Sequence, residues 1–170
     1  MQKRANEVTM HQIPVTLLGP KIKVGDLAPD FVVQDAAMKT IKLSDFDGKI
    51  RILNSVPSID TSVCSAQVHR FNIESAKLKD TVIFSISVDL PFALNRYCAA
   101  EGIDAVKVTS DHKDLDFGLK YGVVIEQKRL LSRAVFVIDK NNKIVYVQYV
   151  KETSDEPNYD QVLQVVKTLA

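Results

Sequence analysis

The sequence predicts an α/β fold in which a central mixed sheet is flanked by helices. Three observations lead there. Strand-like apolar runs alternate with helix-like runs from about Ile50 onward. Residues 82–88 are apolar almost throughout, as in a strand buried on both faces at the centre of a parallel sheet. Residues 134–138, a turn at 139–143 and residues 144–150 read as an antiparallel hairpin that finishes that sheet.

The elements follow in order. The opening stretch alternates around Val8-Thr9-Met10 and Pro14-Val15-Thr16-Leu17-Leu18, the pattern of a small hairpin, and Gly19-Pro20 ends it. Gly25-Asp26 and Ala28-Pro29-Asp30 read as turns, and residues 31–34 as a short strand. Asp47-Gly48 is a turn signal after residues 41–46. Residues 49–56 read as a buried strand and 62–79 as a long amphipathic helix. After the central strand, Asp89-Leu90-Pro91 starts a helix with Pro in its first turn, which runs past Cys98 and stops at Gly102. Residues 106–109 form a strand, and 114–121 a short helix closed by Gly122. A last helix from Asn158 gathers Val162, Val165, Val166 and Leu169 on one side. The order βαβαβ, helix, hairpin, helix fits a thioredoxin-like fold. No repeat or Pro/Gly-rich linker divides the 170 residues, so one domain is expected, with residues 1–20 as an N-terminal hairpin extension.

Composition removes several functions. Hydrophobic residues make up 46%, charged residues 25%, and the formal net charge is +1, so nothing favours nucleic acid or an anionic membrane. No window reaches the roughly eighteen apolar residues of a membrane span. Residues 1–7 are polar and lack the apolar core of a secretory signal. A cytoplasmic setting is expected, where a working thiol pair is more common than a structural disulfide. The two cysteines and three scattered histidines (His11, His69, His112) lack metal-ligand spacing. No phosphate-binding Gly loop or nucleotide fingerprint is present, so neither a metal nor a cofactor is expected.

Chemistry concentrates at Pro57-Ser58-Ile59-Asp60-Thr61-Ser62-Val63-Cys64, where a strand hands over to a helix. A thiol there lies in the first helical turn. Free backbone N–H groups and the helix dipole favour its thiolate, the form that reacts. Thr61 can cap the helix and also bond the sulfur or a bound oxygen. Pro57 turns the chain, and its rigid ring can shield the thiol from water. Arg133 heads the strand at 134–138. A buried guanidinium there needs an anionic partner or solvent, and Cys64 is a candidate partner. Cys98 alone reads as core, with Leu94 on the same face; beside Cys64 it is a candidate second thiol. A bridge between them would close a loop of about 35 residues, worth roughly 3–4 kcal/mol in the loop-entropy picture. Both cysteines fall on helices, so one helix would have to unwind locally. On residues alone, a protein thiol–disulfide oxidoreductase and a redox relay or binding module stay open, although the C-x-x-C spacing of the former is missing.

At these positions the chain resembles the peroxiredoxins. Their P-x-x-x-T/S-x-x-C motif stands here as Pro57, Thr61 and Cys64. The runs Ser87-Val88-Asp89-Leu90-Pro91-Phe92-Ala93, Arg96-Tyr97-Cys98 and Ser132-Arg133-Ala134-Val135-Phe136-Val137-Ile138-Asp139 are similar to the bacterial thiol peroxidase branch. The resemblance covers nearly the whole chain. It implies a thiol peroxidase acting on hydrogen peroxide and organic hydroperoxides, with Cys64 as peroxidatic and Cys98 as resolving thiol of the same chain. It further implies that Thr61 and Arg133 hold the peroxide, that Pro57 shields the site, that thioredoxin is the reductant, and that the protein is a homodimer.

Overall fold

The computed structural model describes residues 1–170. Strands β1 (Lys3–Met10) and β2 (Ile13–Leu18) open the chain. Next come β3 (Val32–Asp35), β4 (Thr40–Lys42), a single 3-10 turn at Leu43–Phe46, and β5 (Ile50–Ser55). Helix α1 (Ser62–Ser75), β6 (Thr81–Ser87), α2 (Pro91–Glu101), β7 (Lys107–Ser110) and α3 (Asp116–Lys120) form the middle. The chain ends with β8 (Val124–Ile125), β9 (Leu130–Leu131), β10 (Ala134–Ile138), β11 (Ile144–Tyr149) and α4 (Tyr159–Leu169).

Seven strands form the main sheet in the order β11-β10-β5-β6-β7-β3-β4. β5, β6 and β7 run parallel, while β10 is antiparallel to both β5 and β11. This is the mixed sheet the sequence predicts. Alternation of side chains along each strand explains why its centre is apolar without a break. Leu53, Phe84 and Phe136 enter one core with Phe31, Phe117 and Tyr121. Their neighbours Ile52, Ile83, Val135 and Val137 enter a second core on the opposite face. Val68 and Phe71 of α1, Leu94 of α2 and Val162 of α4 cover that second face.

Two expectations need correction, and one pair of strands is new. Helix α1 ends at Ser75, not Lys79: the Ser75 hydroxyl donates back to the Asn72 carbonyl (2.6 Å), an alternative to helical propagation. The short helix covers Asp116–Lys120 and not 114–121, because Leu115 adopts a left-handed backbone (φ 52°). The region between Gly122 and Arg133 holds β8 and β9, which no sequence pattern marked. The N-terminal hairpin pairs with them in a second sheet ordered β1-β2-β8-β9. Buried Arg4 adds a further tie: its Nη1 donates to the carbonyls of Gly19 (2.8 Å) and Gly122 (3.2 Å), and its guanidinium lies over the Tyr149 ring. Gly122 cannot be replaced, since a Cβ there would stand 2.0 Å from the Pro20 carbonyl oxygen and φ is +65°.

Phe136 lies at the junction of these packings, edge-on to Phe117, Tyr121 and Tyr149. Phe136→Ala is expected to cost about 3–5 kcal/mol in urea unfolding, because the rings around it cannot collapse into the space left.

Candidate active site

The site is built at the junction of β5 and α1. Val56 still bonds the main sheet through its N–H to Ile86 O (3.0 Å), and the chain then turns at buried Pro57. Asp89, at the start of the α2 segment, pins the loop that follows. Its Oδ1 accepts from Ser58 Oγ (2.8 Å), and its Oδ2 accepts from Ile59 N (2.9 Å) and Ser87 Oγ (2.7 Å). Thr61 is the N-cap of α1, with an extended backbone (φ −95°, ψ 146°). Its hydroxyl accepts from Cys64 N at 3.4 Å and donates to Ser58 O at 3.2 Å. No acidic side chain lies in the first turn. The positive end of the helix is therefore not neutralised from within.

Cys64 is fully buried, yet it belongs to neither apolar core. What faces its sulfur is Arg133, whose Nη2 donates to Cys64 Sγ at 3.2 Å. Arg133 is itself only 2% exposed. Its Nε donates to the Thr153 carbonyl (2.9 Å) and its Nη1 to Gln67 Oε1 (2.7 Å). Gln67 Nε2 in turn donates to Asn54 Oδ1 at 3.3 Å. No carboxylate pairs with this guanidinium, so a buried positive charge faces a sulfur and two neutral oxygens. A guanidinium placed in this way can give a charge-assisted hydrogen bond to an anionic group at the sulfur position.

The meeting of Arg133 with Cys64 has a topological cause. Arg133 stands one residue before β10, and β10 runs antiparallel to β5 with Ala134 opposite Ser55. The beginning of β10 therefore lies at the carboxyl end of β5, where α1 begins. Had β10 run parallel to β5, Arg133 would have stood at the opposite end of the strands.

A cleft of about 200 Å³ opens over the site. Pro57, Thr61 and Arg133 line it. Met10 and His11 of the hairpin tip and Thr153 line it as well. Four of the five expected residues, Cys64, Thr61, Pro57 and Arg133, thus gather at one place. Cys98 does not. It sits half-buried on α2 and lines a separate cleft with Ala36, Ile41, Asn95 and Val106. Both thiols are free. Burial pushes the Cys98 thiol above its ordinary value. The neighbours of the two cysteines do touch: Ser65 Oγ meets Tyr97 Oη at 3.0 Å, and His69 Nε2 meets Glu101 Oε2 at 3.0 Å. Burial raises the Tyr97 hydroxyl as well, so it serves as a neutral hydrogen-bonding partner.

Sequence reasoning missed Gln67, Asp89 and Thr153. Gln67 had a weak signal, since it lies three positions after Cys64 on the same helical face. Thr153 had none, because it contributes only its carbonyl.

A buried thiol at a helix start, opposed by a guanidinium on a mixed sheet, defines a thiol-based redox protein of thioredoxin-like fold. The redoxin family model matches residues 23–163, and the chain belongs to that family, in its bacterial thiol peroxidase branch. It is 55% identical to a thiol peroxidase of Oceanobacillus iheyensis over 93% of this chain and 96% of the relative. It is 50% identical to a thiol peroxidase of Bacillus subtilis over 96% and 98%. Among solved structures, a peroxiredoxin-like protein from Aquifex aeolicus superposes with a TM-score of 0.92 at 40% identity, covering 98% of each chain. A thiol peroxidase from Chromobacterium violaceum shares the fold (TM-score 0.83, 21% identity, 95% of each chain).

Gln67→Leu leaves a buried Arg133 N–H and the Asn54 amide oxygen without partners. It is expected to destabilise the protein by about 1–3 kcal/mol in chemical denaturation.

Proposed function

We propose that Cys64 reduces hydrogen peroxide and organic hydroperoxides to water or alcohol, that Cys98 resolves the oxidised sulfur as an intramolecular disulfide, and that thioredoxin reduces that disulfide. The enzyme class, a peroxiredoxin-type peroxidase, follows from the family. The residue roles rest on one observation above all: the Arg133 guanidinium, buried without a carboxylate, 3.2 Å from the Cys64 sulfur.

The chemistry follows from that geometry. The Cys64 thiolate attacks the distal oxygen of ROOH. An S–O bond forms, the O–O bond breaks, and the departing RO⁻ takes a proton to leave as alcohol or water. Sulfur loses two electrons and becomes a sulfenic acid. Negative charge spreads over sulfur and both oxygens at the transition state. Arg133 and the N–H groups at the start of α1 can stabilise it there. Thr61, which already lines the cleft, offers its hydroxyl to the peroxide. Pro57 keeps bulk water from the sulfur. The Cys98 thiol then attacks the sulfenic sulfur, an S–S bond forms, and water departs. An external dithiol exchanges with that bond and is oxidised in its place.

Cys64 is fully buried and Cys98 opens into a different cleft, so the disulfide step requires α1 or α2 to loosen locally. The Ser65–Tyr97 and His69–Glu101 contacts between these helices must open with it. A cytoplasmic setting and a homodimer complete the proposal; no helix is long and apolar enough to cross a membrane.

Stopped-flow mixing of reduced protein with peroxide tests these roles. Cys64→Ser is expected to abolish turnover. Cys98→Ser should consume about one equivalent and then stop with Cys64 oxidised, as its sulfenic acid has no partner thiol. Arg133→Met should slow Cys64 oxidation by roughly 10²–10³-fold, the usual loss for one charge-stabilising donor, while the fold persists. Reduced wild-type protein that forms no disulfide within seconds of excess hydrogen peroxide would overturn the proposal.

A further inference from the structure

Part of the cleft lining comes from the tip of the N-terminal hairpin, some 120 residues from Arg133 in sequence. That tip is not free. His11 and Gln12 both adopt left-handed backbone (φ 51° and 66°), a conformation that ordinary side chains enter at a cost. Both of their N–H groups donate to one carboxylate, Glu152: His11 N to Oε1 (3.1 Å) and Gln12 N to Oε2 (3.0 Å). Thr9 Oγ1 donates to the same Oε2 at 2.5 Å. Ser154 N (3.1 Å) and Ser154 Oγ (2.8 Å) donate to Oε1. Backbone bonds from Thr9 N to Lys151 O (2.8 Å) and from Thr153 N to Thr9 O (2.9 Å) bracket the carboxylate. Thr153, held in this way, presents the carbonyl that receives Arg133 Nε.

We propose that Glu152 is a positioning residue for peroxide reduction: it staples the tip of the N-terminal hairpin to the 151–154 loop. It thereby fixes the Met10–His11 wall of the cleft together with the Thr153 carbonyl that orients Arg133 on the Cys64 sulfur. The inference rests on the proposed role of Cys64 and adds to it. The carboxylate touches neither sulfur nor peroxide. It acts through two routes, one to the guanidinium and one to the shape of the opening. A cleft of about 200 Å³ is several times larger than hydrogen peroxide, roughly two waters or ~60 Å³. A small peroxide therefore senses mainly the Arg133 route, whereas a bulky one senses the wall as well. Partial burial opposes charge on Glu152. Hydrogen bonds from Thr9, Ser154 and the backbone N–H of Gln12 outweigh it and hold the carboxyl at about 2. Its stabilising contribution is thus complete above the ordinary carboxylate range and is lost only as pH falls toward 2, so the staple stays closed across neutral pH.

Glu152→Gln tests this. It keeps one acceptor and replaces the other with a donor facing N–H groups. Second-order rates of Cys64 oxidation by hydrogen peroxide and by cumene hydroperoxide are read in the full-length reduced protein. The disulfide-closing phase is read in the same traces. The hydrogen peroxide rate is expected to fall about tenfold, in keeping with loss of charge-assisted hydrogen bonds. The ratio of the two peroxide rates should shift by about threefold or more as the wall moves, and the closing phase should be unchanged. Thr9→Val, which removes a single donor, should give the same pattern more weakly and serves if Glu152→Gln does not fold. Glu126→Gln breaks the hairpin's exposed ion pair with Lys3, away from the tip, and should leave both rates unchanged. The inference is overturned if Glu152→Gln lowers the melting temperature but keeps both peroxide rates. It is equally overturned if Glu126→Gln loses as much, which would assign the effect to hairpin attachment in general. A wild-type protein that no peroxide oxidises at Cys64 would instead remove the reading beneath it.

Discussion

A buried guanidinium without a carboxylate governs this molecule. Arg133 is placed where desolvation is costly, and its only partners are two neutral oxygens and the Cys64 sulfur. Left without an anion, the site stores a positive charge that a thiolate or a developing oxyanion can relieve. The neutral partners are important in themselves. Gln67 and the Thr153 carbonyl fix the plane of the guanidinium without neutralising it, so the charge stays directed at sulfur. A carboxylate in either place would have quenched it.

The frame around that contact is stiff on one side and releasable on the other. Asp89 holds the loop at Ser58 and Ile59, and Thr61 caps α1, so the thiol is delivered to Arg133 by backbone constraint. The bonds joining α1 to α2 are fewer and lie nearer solvent, with His69 and Glu101 partly open to water. Local opening is drawn from such weakly held regions. A cycle in which one sulfur reacts in a dry site and then meets a second thiol needs both properties. The two thiols stand at different places, Cys64 buried beside Arg133 and Cys98 in a cleft of its own.

The second sheet gives the N-terminal hairpin a function beyond edge protection. It is secured to the body by Arg4 at one end and by Glu152 at the other. The tip supplies one wall of the cleft, while the loop it grips supplies a ligand to Arg133. The lining of the cleft and the orientation of the guanidinium are therefore held by the same small group of hydrogen bonds.

The order of elements, the buried centre of the sheet and the placement of Cys64 under a Thr61 cap were legible in the residues. Each is a local property: strand alternation, helical period and capping are written over a few consecutive positions. Arg133 and Cys98 were legible as types without their geometry. Their separation into the sulfur site and a different cleft was not, nor was the antiparallel course of β10 that brings Arg133 to the head of α1. Strands β8 and β9 span two residues each and leave no period to read. Glu152 meets Thr9 across 143 positions, and Asp89 meets Ser58 across 31. The sequence by itself determined which chemistry was present and on which elements it stood. Tertiary structure alone decided which polar groups hold it in register, because long-range hydrogen bonds depend on strand order and leave no local pattern along the chain.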